Sequence, residues 1–204
     1  MYLTRIDLQP QVRAIQQALV DCQKMHRLVS GLFQAARKDA NALYRLRIEP
    51  GRTAVYLYSD MPVNRAALIP GMVFGGERDL SDWLQNLENG QIWRFDLLAA
   101  PMKKVAAEGQ KNSRRRILRE PSERLAWLNR KAEQAGFAIL GAEEKEAIQV
   151  MGTHSAEQGG RMHWDGYRYD GVLQIRQKEL FQRAMCTGIG AGKAYGMGMM
   201  LLRR

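Results

Sequence analysis

Two groups of residues have types and spacing suited to chemistry. One is His26 in the segment K-M-H-R, Lys24 to Arg27; the other is a glycine-rich run, Thr187 to Leu202, that holds Lys193 and Tyr195. An imidazole titrates near neutral pH, so His26 can donate or accept a proton in a reaction. Repeated glycines, here Gly188, Gly190, Gly192, Gly196 and Gly198, let the backbone turn tightly and bring its N–H groups to an anion. Lys193 adds a positive charge, and the chemistry suggested is proton transfer beside a bound anion. The run is not a nucleotide-binding loop. Ala194 stands where the phosphate loop needs Ser or Thr, and apolar Met199 to Leu202 read as a strand and not as the helix that a dinucleotide fingerprint opens. A plainer reading is a glycine-rich turn packed closely against a helix. His26, one step from Met25, sits at the edge of an apolar stripe, where a boundary residue also fits.

Charge narrows the partner. Lys and Arg number 31 against 21 acidic residues, a net +10 over 204 residues, which points to a polyanion such as nucleic acid. Between Pro101 and Lys131 stand ten basic residues and three acidic ones, so this segment supplies +7 of that excess. Its middle, G-Q-K-N-S-R-R-R, is polar and predicts an exposed basic hairpin or arm in contact with phosphates. The alternative is a solvated charge run. Met1 to Pro10 has no apolar core of signal-peptide length, and no apolar run approaches the ~18 residues of a membrane span, so a cytoplasmic location without membrane contact is expected. Cys22 and Cys186 form no C-x-x-C pair, and His26, His154 and His163 lack metal-ligand spacing; neither disulfide nor metal nor other cofactor is expected.

The elements that must position these groups alternate between strand and helix. Tyr2, Thr4, Ile6 and Leu8 have the period of a half-buried strand, and Val12 to Phe33 carries helical spacing as one helix or as two broken near Asp21. Residues 44 to 58 form a hairpin through Pro50-Gly51. A short helix capped by Asp79 or Ser81 follows, then a strand from Ile92 to Leu98 with Trp93, Phe95 and Leu97 on one face. The order is β-α-β-β-α-β, a ferredoxin-like unit. The second half repeats it: a first strand within Pro101 to Ala106, a helix from Pro121, strands Phe137 to Leu140 and Ile148 to Met151, an aromatic-rich strand ending at Ile175, a helix Lys178 to Met185, and the final strand. The expected class is α+β, tandem ferredoxin-like domains at residues 1–98 and 99–204. Trp164, Tyr167 and Tyr169, interleaved with Arg161, His163 and Arg168, read either as base-stacking side chains or as the inner face of a strand.

G-I-G-A-G-K-A-Y-G-M-G-M resembles the C-terminal glycine-rich loop of the repeat-associated RNA-binding proteins of CRISPR systems. M-Y-L-T-R-I, K-M-H-R, M-P-V at Met61 to Val63, the basic segment, A-W-L-N-R-K at Ala126 to Lys131 and D-G-V-L at Asp170 to Leu173 narrow the resemblance to the CasE family. That family is the endoribonuclease subunit of the type I-E Cascade complex. The resemblance implies that His26 is the general acid/base, with Lys193 and His163 as accessory candidates. Arg27, Lys103, Lys104, Lys111, Arg114, Arg115, Arg116, Arg119, Gly190, Gly192, Lys193 and Tyr195 are then the RNA-binding candidates. Family members often carry a tyrosine three residues before the histidine; here Gln23 stands there, and it cannot exchange a proton near neutral pH.

Metal-free RNA cleavage needs a deprotonated 2′-hydroxyl, a stabilised phosphate and a protonated 5′-oxygen leaving group; His26, the cations and loop N–H donors offer these parts. The resemblance implies a CRISPR repeat stem-loop cut at its base, a guide RNA retained with the other Cascade subunits, and no small-molecule substrate. A non-catalytic subunit that only grips guide RNA, with Gln23 as its sign, is the second reading, and a ferredoxin-like regulator of another RNA the third.

Overall fold

A computed structural model describes residues 1–34, 40–105, 114–153 and 160–204. Two four-stranded antiparallel sheets, each with helices on one face, form two ferredoxin-like units.

The first unit contains β1 (Tyr2–Leu8), α1 (Arg13–Val20), α2 (Cys22–Ser30), β2 (Leu43–Glu49), β3 (Arg52–Ser59) and β4 (Met72–Asp79), with strand order β2-β3-β1-β4. Alternation in β1 buries Thr4, Ile6 and Leu8 against the helices. The helical stretch is two helices. Asp21 leaves the helical region at φ −133°, and its carboxylate accepts hydrogen bonds from the backbone N–H groups of Gln23 (2.9 Å) and Lys24 (3.2 Å), capping α2. Helix α2 then buries Cys22, Met25 and Val29 on one stripe. Between β3 and β4 stands a 3-10 turn, Arg65–Ala67; the short helix expected after Asp79 or Ser81 forms at Ser81–Gln85 but follows β4.

The second unit contains β5 (Ile92–Ala99), the hairpin β6 (Met102–Val105) and β7 (Arg114–Ile117), α4 (Pro121–Gln134), β8 (Phe137–Thr153), β9 (Arg161–Ile175), α5 (Lys178–Thr187) and β10 (Met200–Arg203). A short helix α3 (Ser81–Gln85) joins the units, Asp79 accepting from the N–H of Ser81 at 2.8 Å. The order β10-β5-β9-β8 is again ferredoxin-like, all neighbours antiparallel. Pro121 opens α4 at a position that needs no N–H donor.

Three sequence expectations are corrected here. The strand at residues 92–98 was read as the last of the first unit. It pairs instead with β9 and β10, where Trp93, Phe95 and Leu97 join the second core, and β4 takes its place in the first sheet. Strand β4 was hidden because Gly75 is an extra residue, the register shifting between Arg5↔Gly76 and Ile6↔Phe74, which breaks the alternation. The segment Pro101 to Ala106 was read as the first strand of the second unit; β6 lies in it but pairs only with β7, as the predicted basic hairpin. The strands expected at 137–140 and 148–151 are one continuous strand, paired with β9 from Phe137↔Ile175 to Thr153↔Arg161 through two irregularities. The G-A-E-E-K-E-A segment between them lies in an edge strand, exposed enough to be polar.

One apolar core lies between the first sheet and α1 and α2, built on Ile6, Ile15, Met25, Leu32 and Leu57. A second lies beneath α4 and α5, built on Phe95, Trp127, Phe137, Tyr169 and Phe181, and reaches Leu43 and Tyr58 of the first unit.

Candidate active site and nucleic-acid interface

His26 is half-buried on α2, with Nδ1 3.4 Å from the hydroxyl of Ser30 one turn on. Its ring lies 6.2 Å from the ring of Tyr195, edge to face at 74°, and Tyr195 in turn packs on Trp164 of β9 at 5.5 Å. The glycine run holds Tyr195 in a 3-10 turn, Lys193–Tyr195, flanked by Gly192 (φ +75°) and Gly196 (φ +84°), both left-handed. Gly196 has a second reason to be glycine: a Cβ there would stand 3.1 Å from the Tyr44 ring. The histidine and the glycine run, far apart in sequence, are thus one site.

Part of the loop's backbone is already committed within the protein. The N–H of Ile189 donates to Gly198 (2.9 Å), that of Gly198 to Leu98 (2.7 Å), and those of Tyr195 and Met197 to Gly192 (2.8 and 3.3 Å). These four donors are not available to a phosphate. Gly190 and Gly192 are packing positions, a Cβ at Gly190 falling 3.1 Å from the Trp127 ring and one at Gly192 falling 2.9 Å from Met197 Sδ.

Beside the loop lies an open cleft of about 580 Å³ whose lining gathers Lys103, Lys104 and Arg115 of the hairpin, Lys131 of α4, Arg183 of α5 and Lys193. Among the described residues no carboxylate lines it. The hairpin register sets Lys103 opposite Arg116 and Lys104 opposite Arg115, like charges that destabilise a ladder unless an anion sits over them. Lys103 is also paired with Glu123 at 2.9 Å. Arg116 and Arg119 are exposed outside this lining, Arg27 is exposed on α2 next to His26, Arg114 is placed by register opposite Val105, and Lys111 lies outside the described residues. Arg183 was missed by sequence reasoning, and Lys131 was counted among the basic residues but not assigned to the site. Each is one cation on an amphipathic helix, a pattern identical to that of a solvated face.

His163 does not join His26. Alternation along β9 turns it to the face opposite Trp164, where its Nε2 lies 2.6 Å from Asp165 Oδ1. Tyr169 is fully buried and Tyr167 lies under the Arg124 guanidinium at 4.0 Å, so the aromatics of β9 serve packing. The far end of the β8–β9 ribbon instead braces α2: Thr153 donates to Asp21 Oδ2 at 2.8 Å. Burial raises the Asp21 pKa, but the Thr153 hydroxyl and the capping N–H groups of Lys24 and Gln23 together hold it below the ordinary carboxylate value. Among the described residues no three His, Cys, Asp or Glu side chains cluster as a metal site requires, and no helix is long and apolar enough to cross a membrane.

Comparison with known proteins adds a family and relatives. A family model described as CRISPR associated protein matches residues 1–204. The CRISPR-associated endoribonuclease Cse3 of Thermus thermophilus is 28% identical over 220 residues, covering 98% of each chain. The structure of a CRISPR endoribonuclease Cse3 bound to a 19-nucleotide RNA superposes with TM-score 0.87 at 25% identity over all of both chains. That of Thermus thermophilus Cse3 with an RNA representing a pre-cleavage complex gives 0.85 at 25% identity, covering 100% of this chain and 98% of that one.

Proposed function

Because the chain belongs to the CRISPR-associated protein family, which its whole length matches, we propose that it is a site-specific, metal-independent endoribonuclease acting on precursor CRISPR RNA in the cytoplasm. It binds the repeat stem-loop, cuts at the base of the hairpin by attack of the 2′-hydroxyl on the adjacent phosphate, and keeps the guide RNA as a subunit of Cascade. Similarity over nearly full length to a CRISPR endoribonuclease supports the reaction class.

The observation that carries this reading is the single turn that joins cleft to histidine. Lys193 lines the basic cleft, and Tyr195, two residues on, touches His26. A stem held through its phosphates by Lys104, Arg115, Lys131 and Arg183 therefore brings one phosphate past Lys193 to the imidazole. There His26 exchanges a proton with the 2′-hydroxyl or the departing 5′-oxygen, while Lys193 offsets charge building on the phosphate. The products are a 2′,3′-cyclic phosphate and a 5′-hydroxyl, and no proton has to pass through a metal-bound water.

The alternative of a non-catalytic grip on guide RNA has one observation in its favour. Gln23 replaces a tyrosine common in the family, and its Oε1 is buried with no hydrogen-bond partner among the described residues. One assay separates the two: cleavage of a repeat hairpin in EDTA by the wild type, by His26→Ala, and on a substrate with a 2′-deoxy residue before the scissile phosphate. Cutting at one bond by the wild type alone, with the deoxy RNA bound but intact, is expected. Metal-dependent cutting, or undiminished cutting by His26→Ala, defeats the reading; tight binding without cutting leaves the grip.

A further inference from the structure

The two halves of the site come from different units. His26 is carried by α2 of the first, and Tyr195 by the glycine loop of the second, so their contact requires the units to be held in one relative placement. Strand β2 makes that seam. Leu43 packs where a Cβ on Gly188 would come within 3.0 Å, and Tyr44 lies under Gly196, the residue that follows Tyr195.

The next residue of β2, Arg45, is only 3% exposed and ion-pairs across the seam with Asp96 Oδ1 of β5, its Nη1 also donating to the Asp96 carbonyl at 3.2 Å. Arg47 reaches the other oxygen, Oδ2, at 3.7 Å. Arg168 of the neighbouring strand β9 donates to that same oxygen from Nε at 3.0 Å and Nη2 at 2.6 Å, and itself touches Glu146 (3.3 Å) and Asp170 (3.9 Å). Asp96 is thus a carboxylate, 9% exposed, on which three guanidiniums from both units converge. Burial acts to raise its pKa, but the Arg168 hydrogen bonds and the Arg45 charge outweigh it and keep the carboxyl below its ordinary value. Burial also lowers the Arg45 pKa despite Asp96; a guanidinium nevertheless stays charged at any physiological pH.

We propose that Asp96 is a positioning residue for RNA cleavage: it pins β2 to β5, and through Tyr44 and Gly196 keeps Tyr195 against His26. This rests on the proposed endoribonuclease function. It separates cutting from binding, because the described residues lining the basic cleft all belong to the second unit, between Ala100 and Lys193, and the hairpin, α4 and α5 that carry Lys104, Arg115, Lys131 and Arg183 are not part of the β2–β5 seam. Removing the carboxylate leaves Arg45 buried with its charge uncompensated, so the seam must open to let water reach it.

The test uses the full chain in three variants. Asp96→Asn removes the charge, Asp96→Leu with Arg45→Leu removes both buried partners and so leaves no buried guanidinium unpaired, Arg168 keeping Glu146 and Asp170, and Arg47→Gln alters a half-exposed position at the rim. Each is measured for single-turnover cleavage of a saturating repeat hairpin, for hairpin Kd, and for the NMR resonances of the His26 ring against those of wild type and Tyr195→Ala. The expected result is cleavage slower by up to about tenfold in the first two, no more than loss of the Tyr195 ring contact itself, with Kd unchanged and the His26 signals moved toward those of Tyr195→Ala. Arg47→Gln shows the same split more weakly. Folded variants that cut at the wild-type rate with wild-type His26 signals overturn the proposal, as does an equal loss of binding and cutting. A wild type that does not cut defeats the proposed function instead, and the His26 signals then decide the role of Asp96 alone.

Discussion

Tyr195 meets His26 edge to face, ring against ring, with Trp164 behind it. An aromatic pair of this kind contributes about 0.5–1.5 kcal/mol beyond the area it buries. Tyr195→Phe keeps the ring and retains most cleavage activity, whereas Tyr195→Ala loosens the imidazole and slows single-turnover cleavage by up to about tenfold, the rate equivalent of that energy. Equal loss in both variants would instead assign the phenol hydroxyl the proton-exchange role that Gln23 cannot perform. His26 was legible in the sequence as a titratable group at the edge of a helical stripe. Its neighbour was not, since Tyr195 lies at the far end of the chain and only the folded seam between the units brings the rings together.

Helix α2 presents His26 from an N-terminus fixed by one carboxylate. Asp21 caps two backbone N–H groups and accepts from Thr153 of β8, so it ties the helix both to its own first turn and to the ribbon of the second unit. Asp21→Ala is expected to cost about 1–2 kcal/mol, the usual worth of such a cap, and to lower Tm by a few degrees in calorimetry, roughly 2–4 °C per kcal/mol for a chain this long. Because the folded pKa of Asp21 is depressed, its stabilisation is fully present above the unfolded value of about 3.9 and disappears as pH falls through the lower folded value. The Asp21→Ala variant therefore loses that share of the acid dependence of Tm. The break at Asp21, the alternation of β1 and the Pro121 start of α4 could be read from local pattern. Strand β4 could not, because a bulge at Gly75 disrupts its period, and the placement of β5 could not, because its partners Met200 and Gly171 lie more than seventy residues away. Local periodicity reports an element's faces; it carries no record of which strand comes to lie beside it.

For the molecule as a whole, affinity for RNA is expected to come chiefly from phosphates. Of the cations lining the cleft, Lys103 is held by Glu123 and Lys193 is assigned to the scissile phosphate, so the stem is gripped by Lys104, Arg115, Lys131 and Arg183. Four such contacts predict a slope of about −3.6 in log K against log salt for a duplex stem, measurable by anisotropy, with Lys104→Ala and Arg115→Ala each reducing it by about one. A slope near zero would move the stem away from this cleft. The β8–β9 ribbon adds a mechanical property. Its fifteen-residue strand β9, at about 3.4 Å per residue, makes a beam roughly 50 Å long that begins against α4 and α5 and ends on the cap of α2. A span paired along its length, apart from two irregularities, and fastened at both ends resists hinge bending. For the proposed endoribonuclease this makes the site an anvil and not a jaw: the RNA is expected to bring its backbone into the shape required for cutting, so that hairpins are discriminated by which ones can be laid on a surface that does not yield.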